Sequence, residues 1–213
     1  RVSAFRGGAG TGKSFVLREL VEQIRDGGRG VVVLAPQRQQ VVEMETAGFP
    51  SPTTVANFLL KRELAEGTVV VVDEAGQIGG KQMLELIRLV RERNARLILS
   101  GDTRQHGPVE ASDALLAIER YAGGRPVELH NIRRQDPARG QTMDEREHIK
   151  QYRQAVKLAA SGKFDESFSQ LDKMGVVVSC GLADQADKLA DEYLGLAEKN
   201  VSVVVVSQTW TEV

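Results

Sequence analysis

The sequence predicts an α/β fold in which a parallel sheet is flanked by helices, and three observations carry that expectation. Short β-branched runs alternate with helical patterns along most of the chain, the order of a doubly wound sheet. Two of those runs, Val31-Val32-Val33-Leu34 and Val69-Val70-Val71-Val72, are apolar without alternation, as strands covered on both faces of a parallel sheet are. Between them, Met83, Leu84, Leu86, Ile87 and Val90 recur at helical spacing and mark one buried face.

Taken in order, residues 2–5 read as the first strand. Gly7-Gly8-Ala9-Gly10-Thr11-Gly12-Lys13-Ser14 comes next and fits the phosphate-binding pattern G-x-x-x-x-G-K-[ST]. Its glycines let backbone N–H groups crowd around a polyphosphate where a Cβ would collide. Lys13 has the length to reach β- and γ-phosphates, and the Ser14 hydroxyl is a hard oxygen ligand for Mg²⁺. Gly8, Ala9, Gly10, Thr11, Gly12, Lys13 and Ser14 are therefore the expected phosphate site. A helix over 13–25 turns its positive dipole end toward the anion. A strand over 30–35 and helices over 37–46 and 54–66 follow.

The strand expected over 68–72 ends in Asp73-Glu74. In an open α/β sheet the C-terminal edge is where ligands bind. Nucleotide hydrolysis needs both acids there: Asp73 to hold Mg²⁺ together with Ser14, and Glu74 to polarise the attacking water as general base. A helix over 81–93 leads to a strand over 96–100, whose end, Ser100-Gly101-Asp102-Thr103-Arg104-Gln105, places a second polar loop at the same edge. Gln105 both donates and accepts, which suits a group that touches water and γ-phosphate together. Asp102 is placed to orient its neighbours.

A helix over 112–121 precedes Gly123-Gly124-Arg125-Pro126, where two glycines and a proline mark a boundary. The expected domains are 1–124 and 125–213. The second holds a strand at 127–129, a polar stretch over 133–147, helices over 146–161, 165–173 and 183–199, and strands over 176–179 and 202–207. That set amounts to an incomplete second α/β unit.

Bulk properties narrow the class. The 213 residues are 41% hydrophobic and 27% charged, with a net charge of −1, so an anionic partner must be held by local groups and not by a global field. Cys180 is the only cysteine, which excludes an internal disulfide and fits a reducing, cytoplasmic setting. No apolar run approaches about 18 residues, so no membrane span is expected. The chain opens inside a strand pattern and reads as a piece of a longer protein.

The phosphate loop, the acidic pair and the Gln105 loop, in this order, resemble a superfamily 1 helicase motor of the RecD-like branch. Leu34-Ala35-Pro36-Gln37 and Thr53-Thr54-Val55-Ala56-Asn57 look like its two elements that contact single-stranded DNA. Ile132-Arg133-Arg134-Gln135 looks like its arginine element, and Val204-Val205-Val206-Ser207-Gln208-Thr209-Trp210 like a later strand and loop. The wordings Asp73-Glu74-Ala75-Gly76-Gln77 and Gly101-Asp102-Thr103-Arg104-Gln105-His106 look closest to the helicase part of TraI-like conjugative relaxases. The resemblance implies two RecA-like domains, the second truncated, that use ATP and Mg²⁺ to move along single-stranded DNA, with 5′→3′ polarity.

It also implies roles. Lys13, Glu74, Gln105 and Arg134 would be catalytic, Arg134 as an arginine finger supplied in cis. Gln37, Thr54, Asn57 and His106 would touch DNA, and a relaxase parent would bring conjugation machinery as a partner. Phe58 is placed for the core more than for base stacking by its spacing with Leu59 and Leu60. Two departures stand out. Gln37 occupies a place where Thr is usual. His106, His130 and His148 are too far apart for a relaxase metal site, so any nicking activity lies outside these residues. No Asn-Lys-x-Asp element occurs, which argues against a GTPase. The alternative is a nucleotide-dependent DNA-binding module without helicase activity of its own.

Overall fold

The computed structural model describes residues 2–8, 10–102, 114–121, 127–129, 133, 136–201 and 203–206. Six strands, β1 (Val2–Gly7), β2 (Val31–Ala35), β3 (Thr53–Thr54), β4 (Val69–Val72), β5 (Arg96–Gly101) and β6 (Val127–Leu129), form one sheet in the order β3-β2-β4-β5-β1-β6. Every pairing is parallel. The register sets Val33 beside Val71 and Val71 beside Ile98. Successive side chains therefore face opposite layers.

The two layers are distinct hydrophobic clusters. On one face Val33, Val69 and Val71 pack with Leu17 and Val21 of α1 (Lys13–Asp26) and Val41 and Met44 of α2 (Arg38–Thr46). On the other, Val70, Val72, Leu97 and Leu99 meet Phe58 of α3 (Val55–Lys61), Leu86 of α4 (Gly80–Glu92) and Leu115 of α5 (Ala114–Tyr121). Each fully buried Leu or Val contributes about 1.5–3 kcal/mol. The unbroken valine runs are explained by this double cover: β4 is buried throughout and β2 from Val33 onward. Phe58 is buried at 5% exposure in the core.

Local chemistry sets the element ends. Gly28 adopts a left-handed φ of 74° after α1, and its N–H donates to the Arg25 carbonyl at 2.8 Å. The Thr54 hydroxyl caps α3 by accepting from the Asn57 N–H at 3.2 Å. α3 stops at Lys61, short of the expected residue 66, because Arg62 turns left-handed at φ 54°. That turn brings Leu64 into the core at 6% exposure. β3 is two residues long, too short for any periodicity to announce it.

β6 extends the same sheet by pairing with β1. Arg6 on β1 ties this edge together, 3.2 Å from Glu119 of α5 and 3.3 Å from Glu128 of β6. The chain forms two compact units, residues 1–153 and 154–213, divided within α6 (Met143–Ala160). β6 thus lies in the first unit, beyond the boundary expected near residue 124. The second unit holds the end of α6, α7 (Phe164–Lys173) and α8 (Gln185–Glu198). There the Ser167 hydroxyl donates to the Ala155 carbonyl at 2.9 Å.

The strands expected at 176–179 and 202–207 correct to non-strand backbone wherever they are described, so this unit shows helices and no strand among its described residues. A strand needs a neighbour to receive its N–H and C=O groups. Without one, valine runs stay in water: Val178 is 71% and Val206 87% exposed. No helix among the described residues is long and apolar enough to cross a membrane.

Candidate nucleotide site

The loop between β1 and α1 folds as its glycines dictate. Gly10 and Gly12 take left-handed φ values of 74° and 89°, which rarely suit a residue with a Cβ. Gly7 has no room for one: a Cβ there would sit 2.5 Å from the Thr11 hydroxyl and 3.0 Å from Cγ of Lys13. The Thr11 hydroxyl donates to the Gly8 carbonyl at 2.9 Å and braces the turn. No side chain caps the N-terminus of α1 and no acid lies in its first turn. Its leading N–H groups and positive dipole end are thus left for an anion.

Lys13 is 8% exposed, and its ammonium donates to the Gly7 carbonyl at 2.7 Å. It also stands 3.8 Å from Oε1 of Glu74. The acidic pair sits one residue beyond β4, as the sequence places it. Asp73 is buried, and its Oδ1 accepts from the Ser100 hydroxyl at 2.8 Å and from the Glu74 N–H at 3.0 Å. Both bonds fall on Oδ1, which leaves the second carboxylate oxygen for a cation's ligand shell.

Glu74 adopts φ 48°, ψ 40°, a conformation that costs a residue with a side chain about 1–3 kcal/mol and clusters at functional sites. Burial raises its pKa above the ordinary carboxylate value. Lys13 pulls it down, Asp73 and Asp102 push it up, and burial outweighs the ion pair. A carboxyl whose pKa is raised toward neutrality is a stronger base once ionised, which suits a general base.

β5 lies between β1 and β4, so its C-terminal end faces the loop and the acids together. Gly101 is packed so tightly that a Cβ would lie 3.2 Å from the Gly76 nitrogen. Asp102 is 9% exposed, and its Oδ2 lies 3.9 Å from where a Gly8 Cβ would stand. Lys13, Asp73, Glu74 and Asp102 thus gather beside the glycine loop. Ala9, Gln105, His106 and Arg134 lie outside the described residues. Gln37, Thr54 and Asn57 sit further along the same C-terminal edge, Gln37 and Asn57 exposed.

Two residues that sequence reasoning did not single out belong here. Ser100, fully buried, holds Asp73 in place; the available signal was a polar residue at the end of an otherwise apolar strand. The Arg133 N–H donates to the Gly10 carbonyl at 2.6 Å, and its Cδ lies 3.6 Å from where a Gly12 Cβ would stand. Its signal was the Arg133-Arg134 pair itself. A cavity of about 510 Å³, lined by Ser3, Gln23, Arg29 and Arg96 among others, opens at the opposite, N-terminal edge of the sheet and is not part of this site.

A buried lysine facing paired carboxylates across a glycine loop, at the C-terminal edge of a parallel sheet, defines a RecA-like P-loop nucleoside triphosphatase domain. The chain belongs to the AAA domain family, whose model matches residues 1–181. It is 33% identical over 142 residues to a probable conjugal transfer protein TraA of Sinorhizobium fredii, covering 63% of this chain and 12% of that protein. It is 30% identical over 131 residues to the ATP-dependent RecD2 DNA helicase of Deinococcus radiodurans, covering 57% of this chain and 18% of the other. The chain therefore spans under a fifth of the length of these curated relatives. Among solved structures, the Pif1 helicase of Candida albicans matches 72% of this chain and 40% of its own at 20% identity, with a TM-score of 0.47. Family and relatives agree with the RecD-like superfamily 1 resemblance read from the motifs.

Proposed function

We propose that this chain is the nucleotide-hydrolysing part of a motor that couples ATP turnover to movement along single-stranded DNA, 5′→3′, within a conjugative relaxase-helicase or RecD-like protein. One observation carries the reading: the Lys13 ammonium sits 3.8 Å from Glu74 in a glycine loop beside the buried Asp73.

The triphosphate would enter the loop, and Lys13 would exchange the Gly7 carbonyl for phosphate oxygens, a stronger charge-assisted partner. Oxygen donors suit Mg²⁺, so Ser14 and Asp73 would hold it, and the ion would neutralise charge on the β- and γ-phosphates. Glu74 would take the proton of the attacking water. In this reading Gln105 orients that water and Arg134 stabilises the charge of the transition state. Gln37, Thr54, Asn57 and His106 would meet the strand with hydroxyls, amides and a ring instead of a cationic stripe, in keeping with a net charge of −1.

The second reading for the isolated chain is a nucleotide-dependent DNA-binding module without turnover of its own. Phosphate release measured with and without single-stranded DNA, on this chain and on the full-length protein that carries it, tests both. The motor reading expects DNA-stimulated turnover in the full-length protein that disappears in Lys13→Ala. A full-length protein that binds ATP yet shows no turnover with DNA overturns it.

A further inference from the structure

The polar groups along the sheet edge are not independent. Oε1 of Gln77 accepts two amide bonds, from Nε2 of Gln37 at 3.0 Å and from Nε2 of Gln40 at 2.9 Å. Gln37 follows the end of β2, and its N–H donates to Oε1 of Gln40 at 3.1 Å. Gln77 in turn closes the short turn that begins at Glu74: its N–H donates to the Glu74 carbonyl at 2.9 Å. Three residues therefore connect an exposed amide at the end of β2 to the backbone of Glu74, the residue whose carboxylate would activate water. The turn closed by that backbone bond holds Glu74 at φ 48° and its carboxylate 3.8 Å from the Lys13 ammonium, so while the turn stays formed the base is kept on the lysine.

We propose that Gln37, Gln40 and Gln77 form a latch that reports an occupied DNA strand to Glu74, with Gln77 as the positioning residue; this rests on the motor reading above. The physical basis is a competition between acceptors. An amide oxygen is a neutral acceptor, whereas a phosphate oxygen is charged and accepts more strongly. A strand lying on Gln37 and Gln40 draws their N–H groups off Gln77. The Gln77 side chain is then released, which leaves the Glu74 turn held by its own backbone bond alone and frees Glu74 to leave Lys13. No charged side chain takes part in the three bonds, so the exchange is not dominated by a fixed ion pair. The strand shifts the equilibrium because it binds the open latch better than the closed one.

The test uses the full-length protein that carries this chain, measuring ATP turnover with and without a single-stranded oligonucleotide. Gln77→Met keeps the side chain's length and removes the acceptor. It is expected to raise strand-free turnover, so that the ratio of stimulated to unstimulated rate falls at least about fivefold. KM for ATP and the strand's Kd should hold within about twofold. Gln77→Glu, whose charged acceptor holds the two amides more strongly, should keep strand-free turnover at or below that of the unsubstituted protein, and the strand-free rate of Gln37→Ala combined with Gln77→Met should not exceed that of Gln77→Met alone. A ratio within twofold of the unsubstituted protein overturns the latch. So does a parallel fall of both rates, or a ratio that collapses only because the stimulated rate drops. If the unsubstituted protein shows no strand stimulation, the motor reading itself fails and the latch with it; a stimulated parent with a normally stimulated Gln77→Met variant removes the latch alone.

Discussion

Glu74 shows how a single residue trades stability for chemistry. Its burial disfavours the charged form, and the raised pKa is the measure of that conflict. At low pH, below about 4.3, the group is protonated in both folded and unfolded chains and contributes no difference. As pH rises, the unfolded chain ionises first and the folded one resists, so this group's contribution to stability is lost through its raised folded pKa. Glu74→Gln should then melt at or above the unsubstituted temperature at neutral pH, and the gain should vanish in acid. Differential scanning calorimetry at two pH values measures it. The same substitution should leave nucleotide binding intact while turnover falls about a hundredfold to ten-thousandfold. The acid limb of kcat in the active protein should be shifted upward from the ordinary glutamate value, the direction in which burial moves Glu74.

Ser100 belongs to the same scale. Its hydroxyl is fully buried and donates to a carboxylate, a bond worth about 1.5–3 kcal/mol. Ser100→Ala should cost that much in chemical denaturation and raise the Mg²⁺ concentration needed for half-maximal turnover. A melt and a Mg²⁺ titration indistinguishable from the parent would remove Ser100 from its supporting role.

At the scale of elements, the glycine loop is a piece of backbone chemistry more than of side chains. Gly7→Ala drives a Cβ to 2.5 Å from the Thr11 hydroxyl and 3.1 Å from Cβ of Leu129 on β6. Thr11 must leave its bond to the Gly8 carbonyl, and the expected cost is about 1–3 kcal/mol. Nucleotide-dependent thermal stabilisation should be lost with it, since binding to the native state alone produces such a shift. A Gly7→Ala chain whose melting point still rises with ATP would show the loop geometry to be less constrained.

The long elements were legible in the sequence because each carries a repeated signal: seven of eight helices lie close to the expected ranges, and the valine runs read directly as covered strands. What was illegible has local causes. β3 is too short to have a period, and the end of α3 is decided by a left-handed arginine that no composition rule marks. The runs at 176–179 and 203–206 carry strand propensity, but propensity alone does not make a ladder.

Across the whole molecule, the buried hydrophobic residues lie almost entirely in residues 1–153; Ala155 is the one described beyond it. Stability should therefore be decided by the sheet and its two helical layers. Leu86→Ala, at 0% exposure against the sheet, should cost about 2–5 kcal/mol in urea unfolding. A peptide of residues 161–213 should show helical circular dichroism without a cooperative melt, because its described side chains bury so little. A sharp two-state transition in that peptide would place a second core where none is described.

By itself the sequence determined the class of chemistry: an eight-residue loop pattern and an acidic pair after a valine strand name a phosphate site, because the residue types and their spacing are what that chemistry requires. It also determined the two inner valine strands, β2 and β4, through runs that the helices cover on both faces. Only the tertiary structure decided that β5 lies between the loop strand and the acidic strand, bringing Asp102 toward Gly8. The same holds for the bonds from Ser100 to Asp73, from Arg133 to the loop and from Gln37 to Gln77. Those pairs stand 27, 123 and 40 residues apart along the chain. The physical reason is that spacing encodes contacts one turn or one pleat away, whereas strand order and long-range pairing are settled by how the whole core closes.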